Sequence, residues 1–147
     1  MPDTLRALIY RPGSLGDTLV SLPAIAEIRR RFPEHKLTLL TERPLAAPAR
    51  VSPWEVLRET GWFDNAFHYV VKAQTVRDRV ENVRLAIKLR SIGYDEVFSL
   101  APRRTARQLR VDAGIFRGVV GAGRYHSAAR PAWPPPACTS ATPCGLR

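Results

Sequence analysis

The sequence predicts a doubly wound, Rossmann-like α/β fold, in which helices cover both faces of a parallel sheet. Strand-like apolar runs alternate with helix-like segments along the chain, and this order is typical of parallel sheets. The chain has 147 residues, of which 45% are hydrophobic, so it can build one domain around a buried core.

The first predicted elements are a strand, a glycine-containing turn and a helix. Residues 5–11 form a short apolar run that indicates a buried strand. In residues 17–32, apolar side chains recur every three to four positions, which indicates a helix that stops at Pro33. Pro23 lies inside this helix and is expected to kink it or to delay its start, because proline removes one backbone hydrogen bond.

The remaining elements are predicted by the same criteria. Strands are expected at residues 36–41, 66–71, 94–100 and 118–120, and helices near 54–60, at about 75–91 and at 105–116. Val76, Val80, Val83 and Ile87 mark the apolar face of the helix at 75–91, and Gly93 is the expected signal for its C-terminus.

The composition changes near residue 124. Residues 124–147 contain no acid, five of the 13 prolines and both cysteines, Cys138 and Cys144, and no hydrophobic period survives there. We therefore expect a folded domain at residues 1–123 and a disordered tail at 124–147. A natural flexible tail and out-of-frame translation of a GC-rich gene both account for this composition.

Charge and compartment signals limit the function classes. The formal net charge is +10, of which residues 1–73 contribute +2 and residues 74–147 contribute +8. A basic half favours an anionic partner, such as a phosphate, a nucleic acid or an acidic lipid or sugar. The N-terminus lacks a signal-peptide pattern and residues 19–28 are too short to span a bilayer, so we expect a cytoplasmic protein. The cysteines lack metal-site spacing, and no metal is expected.

The most informative motif is the turn GSLGD at residues 13–17, between the first strand and the first helix. Ligands of parallel sheets bind beyond the C-terminal ends of the strands, and a helix that starts there directs N–H groups towards an anion. Gly13 and Gly16 allow a tight turn and close approach of a ligand to the backbone. The spacing is neither GxGxxG nor GxxxxGK[ST], so the turn alone identifies no nucleotide.

These residues also carry a resemblance to a known family. The run IYRPGSLGDTL at 9–19, with LPAI at 22–25 and RRFP at 30–33, resembles the opening of glycosyltransferase family 9, the lipopolysaccharide heptosyltransferase family. The segment GYDEV at 93–97 is similar to a later strand of that family. The resemblance covers about residues 5–123.

The resemblance implies the acceptor-side, N-terminal half of a GT-B-type glycosyltransferase. Members of the family transfer a heptose from a nucleotide sugar, ADP-heptose in the best-known cases, with inversion and without a metal or other cofactor. The nucleotide sugar binds in a C-terminal domain, so this chain alone is expected to be inactive. The implied partner is an acidic glycolipid, the lipopolysaccharide inner core. Because this acceptor is lipid-linked, the protein is also expected to contact the inner face of the inner membrane peripherally.

The resemblance assigns the catalytic base to Asp17, the acid of the family's GD pair. An inverting transfer needs a carboxylate that takes the proton from the attacking hydroxyl. The alternative is that Asp17 only caps the helix, whose dipole would favour the ionised carboxylate and weaken the base. Both interpretations remain open from the sequence.

The candidate acceptor-binding residues lie at the ends of two predicted strands: Arg11, Gly13, Ser14, Gly16, Arg103 and Arg104. Arg11 ends the first strand and can hold a phosphate or carboxylate, or else form an ordinary surface ion pair. For the two later arginines, the alternative is a solvated helix face.

Two other functions remain open. A small basic nucleic-acid-binding module would explain the charge of the second half, although its aromatic residues are not interleaved with basic ones. A stand-alone nucleotide-binding domain would use the turn at residues 13–17.

Overall fold

Five parallel strands and the helices between them form a doubly wound α/β fold, as predicted. The computed structural model describes residues 5–43, 52–101 and 105–127. The elements are β1 (Arg6–Arg11), α1 (Leu15–Arg31), β2 (Lys36–Glu42), α2 (Pro53–Leu57) with a short 3₁₀ turn (Arg58–Thr60), β3 (Asn65–Tyr69), α3 (Val76–Ile92), β4 (Glu96–Ser99), α4 (Ala106–Gly114) with a π-helical continuation (Ile115–Val119), and β5 (Arg124–Ser127). Among these helices, none has both the length and the apolar character needed to cross a membrane.

The sheet has the strand order β3-β2-β1-β4-β5, and every neighbouring pair is parallel. β1 lies at the centre, where Ala7 faces Leu37 of β2 on one side and Glu96 of β4 on the other. The chain winds outward from β1 to β3 and then returns to add β4 on the opposite side. This reversal places the C-terminal ends of β1 and β4 next to each other, at the position where such sheets bind ligands.

Two apolar clusters, one on each face of the sheet, hold the helices in place. On the first face, Ile25 and Ile28 of α1 and Leu57 of α2 pack against Ile9 and Leu39. The cluster on the second face joins α3 and the π-helical segment to the sheet through Leu89, Phe116, Leu8, Leu40 and Val97. Alternate residues of each strand thus serve opposite faces, as the two-residue period of a strand requires.

α1 starts earlier than predicted and continues through Pro23 to Arg31. Ser14 is its N-cap, and its side chain accepts a hydrogen bond from the backbone N–H of Asp17. Thr18, which is buried, donates its hydroxyl to the carbonyl oxygen of Ser14 at 3.1 Å. The expected delay at the start of this helix is therefore wrong, because the Ser14 cap fixes the first turn well before Pro23.

The structure turns the predicted apolar face of α3 away from the sheet. Val76, Val80, Val83 and Ile87 are all exposed, with 42–78% of their surface accessible. The face that packs on the sheet contains Leu85, Leu89 and Ile92. The helix itself is confirmed, but it carries two apolar stripes, and the stripe that is more regular in the sequence is the outer one.

The fifth strand is Arg124–Ser127, not residues 118–120, which belong to the π-helical segment and its end. β5 pairs in parallel with β4, from Glu96 opposite Arg124 to Ser99 opposite Ser127. Glu96 forms an ion pair with Arg124 and a hydrogen bond with the ring of His126. These contacts anchor the strand, whose one apolar residue is a tyrosine. β5 thus includes the first four residues of the predicted tail. Residues 128–147 lie outside the described residues, so the division into a domain at 1–123 and a tail at 124–147 stays a prediction.

Candidate functional site

The candidate site is the turn that joins β1 to α1 at the C-terminal edge of the sheet. Gly13 has a φ of 113°, a backbone conformation that L side chains rarely adopt. A Cβ atom on Gly13 would lie 2.8 Å from Oδ2 of Asp17, so glycine is also required for space. At Gly16 the nearest atom to such a Cβ is Ser14 Oγ at 3.8 Å, which is ordinary contact, so the turn itself does not require this second glycine.

Asp17 and Ser14 form a reciprocal capping box at the start of α1. The backbone N–H of Ser14 donates to Oδ2 of Asp17 at 3.0 Å, and the Ser14 hydroxyl donates to the same oxygen at 2.9 Å. The capping role anticipated as the alternative for Asp17 is therefore present. Because both bonds use Oδ2, the second carboxylate oxygen, Oδ1, keeps its capacity to accept a proton.

The hydrogen bonds from the Ser14 backbone and side chain hold the pKa of Asp17 below its usual value, and the nearby charge of Arg11 lowers this pKa further. The carboxylate is therefore ionised at neutral pH. A depressed pKa makes Asp17 a weak resting base, as the helix-dipole argument anticipates. Any proton that Asp17 accepts must come from a group whose acidity rises as it reacts.

Arg11 is almost completely buried, with 2% of its surface accessible, so the surface ion pair considered for it is wrong. Its guanidinium donates to the carbonyl oxygen of Pro12 and, at 3.0 Å, to that of Leu100 at the end of β4. Burial lowers the pKa of Arg11, while the charges of Asp17 and Glu42 oppose this effect. Arg11 thus ties the β1–α1 turn to β4 and contributes a buried positive charge behind Asp17.

Two polar atoms at the C-terminal ends of β1 and β2 have no hydrogen-bond partner within the described residues. They are Nε of Arg11 and Oγ1 of Thr41, and both are buried. Arg11 and Thr41 are register partners in β1 and β2, so their side chains project from the same face. Buried polar groups are nearly always hydrogen-bonded, so these two atoms are an exception within the described residues.

A polar network on the opposite face of the same edge was not predicted from the sequence. The hydroxyls of Tyr10 and Tyr69 lie 3.2 Å apart, and the Tyr69 hydroxyl donates to Oε1 of Glu42 at 3.4 Å. Burial and the neighbouring Tyr10 raise the pKa of Tyr69, so this hydroxyl stays protonated. The signal was present in the sequence, since all three residues lie within two positions of the C-terminal ends of predicted strands, but the strand order was needed to bring them together.

The two predicted acceptor-binding arginines that follow β4 cannot be placed in the site. Arg103 and Arg104 lie outside the described residues. Arg107, three positions later, is exposed on the first turn of α4. Of the predicted site residues, the structure therefore brings together Arg11, Gly13, Ser14, Gly16 and Asp17.

The assembled site combines an anchored carboxylate, a buried cation and the first turn of a helix. The backbone N–H groups of Leu15 and Gly16 have no partner inside α1, because the first turn of a helix leaves its donors free. These donors face a carboxylate that already occupies part of the helix N-terminus. The arrangement can orient a hydroxyl-bearing ligand and accept its proton at Oδ1, and it is less suited to hold a phosphate directly.

Comparison with known proteins finds similarity in structure alone. No protein-family model matches the chain. No curated protein matches it either. Two solved structures are similar, each at 14% identity: the glycosyl transferase family 9 from Veillonella parvula DSM 2008, with a TM-score of 0.54, and the E. coli heptosyltransferase WaaC with ADP-2-deoxy-2-fluoro heptose, with a TM-score of 0.52.

These two alignments cover most of this chain and a minor part of the other proteins. They include 85% and 80% of this chain, but 36% of the Veillonella chain and 49% of WaaC. The chain therefore spans between one third and one half of the length of the glycosyltransferases whose structures it matches. The predicted fold class is confirmed, and the structures that share it are the ones that the sequence resemblance indicates.

Proposed function

We propose that this chain is the acceptor-side half of an inverting glycosyltransferase that transfers a heptose from ADP-heptose to the acidic lipopolysaccharide inner core. The observation that supports this most directly is the position of Asp17. Its carboxylate stands at the ligand-binding edge of the sheet, backed by the buried charge of Arg11, in a fold similar to that of two glycosyltransferases.

In this proposal Asp17 is the catalytic base. The two Ser14 hydrogen bonds hold Oδ2, so the carboxylate cannot rotate freely and Oδ1 keeps one orientation towards the acceptor hydroxyl. The resting carboxylate is weakly basic, but the acceptor hydroxyl becomes strongly acidic as its oxygen bonds to the sugar. Proton transfer then accompanies bond formation instead of preceding it.

Arg11 acts in this proposal as a positioning residue. Its NH1 atom holds the carbonyl oxygens of Pro12 and Leu100, which keeps the turn against the end of β4. Its buried charge favours an anionic acceptor near Asp17. Gly13, Ser14 and Gly16 form the backbone of the acceptor site, and Arg103 and Arg104 are proposed to extend it beyond β4.

The donor sugar, in this proposal, binds to a separate C-terminal half. The chain alone then has no turnover, because half of the cleft that aligns the substrates and excludes water is supplied elsewhere. In this proposal no cofactor or metal takes part, as the resemblance to the family implies. The proposed location is the cytoplasm, at the inner face of the inner membrane, where a lipid-linked acceptor is within reach.

A titration of the full chain, monitored by its amide NMR signals, tests whether the turn at residues 13–17 binds the acceptor. An acidic inner-core oligosaccharide should shift the amide signals of residues 13–18, and a neutral oligosaccharide of equal length should not. Asp17→Asn should preserve these shifts, because in this proposal the carboxylate takes a proton and the surrounding turn recognises the acceptor. Asp78→Asn, at the equivalent position of α3, is the matched control for loss of a capping carboxylate and should also preserve them.

Two outcomes of the same titration would contradict the proposal. Shifts at residues 13–17 on addition of ADP alone would identify a stand-alone nucleotide-binding domain. Binding of random DNA with steep salt dependence, and no response to the oligosaccharide, would identify a nucleic-acid-binding module.

A further inference from the structure

The outer face of α3 combines exposed aliphatic side chains with basic ones. Val76, Val80, Val83 and Ile87 form a continuous stripe on this 17-residue helix. Nine residues separate Val76 from Leu85 and Val80 from Leu89, which is two and a half helical turns, so the stripe lies opposite the side that packs on the sheet. A stripe of this length that points away from the core is unusual, because a surface helix normally has one apolar face.

Basic residues border this stripe on both sides. They are four exposed arginines: Arg77, Arg79, Arg84 and Arg90. The ammonium of Lys88 lies over the ring of Phe67 instead, on the side of the helix that faces the sheet. The two acids of α3 are already engaged, since Asp78 belongs to the capping box with Thr75, and Glu81 pairs with Arg43 and Arg77. The outer half of the helix therefore presents aliphatic and positively charged groups without an uncompensated negative charge.

The neighbouring helical segment, α4 with its π-helical continuation, also has exposed aliphatic side chains. Val111, Ile115 and Val119 of α4 and its π-helical continuation are exposed as well. The guanidinium of Arg90 donates to the carbonyl oxygens of Gly118 and Val119, which joins α3 to this segment on the same face of the sheet. The exposed surface is thus wider than a single helix.

We propose that the outer face of α3 binds the surface of an anionic lipid bilayer. Helices that lie in a membrane interface have this combination, with an aliphatic face that enters the acyl boundary and flanking Lys and Arg that meet the headgroups. A second copy of the chain would bring like charges together across the stripe. Nucleic acid would leave the aliphatic residues without a function, since it is bound through charge and aromatic stacking.

The inference names the surface that would meet the membrane in the location proposed above. It does not depend on the transferase chemistry, because lipid binding requires neither a donor sugar nor an acceptor hydroxyl. It also involves different residues, on the helix layer opposite the one that contains α1. Failure of either proposal therefore leaves the other intact.

Vesicle sedimentation with the full chain tests the inference. The chain should bind vesicles of phosphatidylcholine mixed with phosphatidylglycerol, and should not bind phosphatidylcholine alone. The double variant Val83→Ser/Ile87→Ser should lower the partition coefficient by about tenfold or more, because aliphatic area no longer enters the bilayer. Arg84→Gln should lower it about fivefold, as expected for one basic residue near an anionic surface.

The matched control is Val20→Ser in α1. Val20 is also an exposed helical valine, but it lies in the helix layer on the other face of the sheet. Serine and valine have similar helix propensities, so neither serine variant should change the unfolding midpoint. Val20→Ser should bind like the parent.

Three results would overturn the inference. The first is equal binding to neutral and anionic vesicles, or to neither. The second is an equal loss of binding in Val20→Ser and in the α3 variant. The third is dimerisation of the parent without vesicles that the α3 variant abolishes, which would identify the face as a contact between copies of the chain.

Discussion

α1 and α3 are both 17 residues long and begin with the same chemistry, yet only α1 belongs to the candidate site. Each starts with a capping box, Ser14 with Asp17 in α1 and Thr75 with Asp78 in α3. In both, hydrogen bonds from the N-cap residue hold the pKa of the aspartate below its usual value. The cap and the depressed pKa are therefore not evidence of catalysis, because α3 has both although it lies outside the candidate site.

The difference between the helices lies in how each is joined to the sheet. Three residues connect β1 to α1, whereas six connect β3 to α3. The short connection keeps Asp17 at the C-terminal edge of the sheet, close to Arg11, whose buried guanidinium donates to the carbonyl oxygen of Leu100 at the end of β4. A capping aspartate thus becomes a candidate base through its position, and this comparison can be tested at three levels.

The largest effect is expected where α3 meets the sheet. Leu89→Ala removes a buried side chain from the second apolar cluster and should lower the free energy of unfolding by about 3 kcal/mol. Ile87→Ala removes a similar side chain from the exposed stripe and should change it by less than about 0.5 kcal/mol. Urea unfolding measures both, and comparable losses would show that the outer stripe is packed in the native protein.

This pair of residues also shows what the sequence can predict. The periodicity of α3 identified a helix correctly, since any apolar residues at three- to four-residue spacing do so. It could not decide which of two stripes faces the sheet, because that depends on the strands beneath, and Leu85, Leu89 and Ile92 form the shorter pattern. Similarly, the sequence placed the fifth strand at residues 118–120 because these residues are apolar. The observed strand, Arg124–Ser127, is mostly polar, and its ion pair with Glu96 could not be predicted from the local sequence.

The candidate site likewise has one part that the local sequence predicts and another that depends on distant contacts. Gly13, Ser14 and Asp17 are close in sequence, so local turn and capping rules were sufficient to bring them together. The burial of Arg11 depends on the carbonyl of Leu100, 89 positions away, and no local rule contains that contact. The network of Tyr10, Glu42 and Tyr69 likewise requires the strand order.

An intermediate effect is expected at the entry to α1. Gly13→Ala forces a Cβ into a backbone conformation with a φ of 113° and against the Asp17 carboxylate, and should lower the free energy of unfolding by about 2 kcal/mol. Gln74→Ala changes the residue that precedes the N-cap of α3, where no glycine is needed, and should have little effect. If the two substitutions have equal effects, the close connection of α1 to β1 does not depend on Gly13.

The smallest effect concerns the pKa values of the two capping aspartates. Both are lower in the folded chain than the value of 3.8 for an unperturbed aspartate, so the stability that each ionised carboxylate contributes is present above that value and is lost as the pH falls through the folded pKa. Arg11→Met removes the buried cation and should raise the pKa of Asp17 towards its usual value, while the pKa of Asp78 stays unchanged. NMR titration of the two carboxyl groups measures both values. An equal rise at Asp78 would indicate a general loss of structure. No rise at Asp17 would mean that the Ser14 hydrogen bonds alone lower its pKa, so that the capping aspartates of α1 and α3 would not differ in their electrostatic environment.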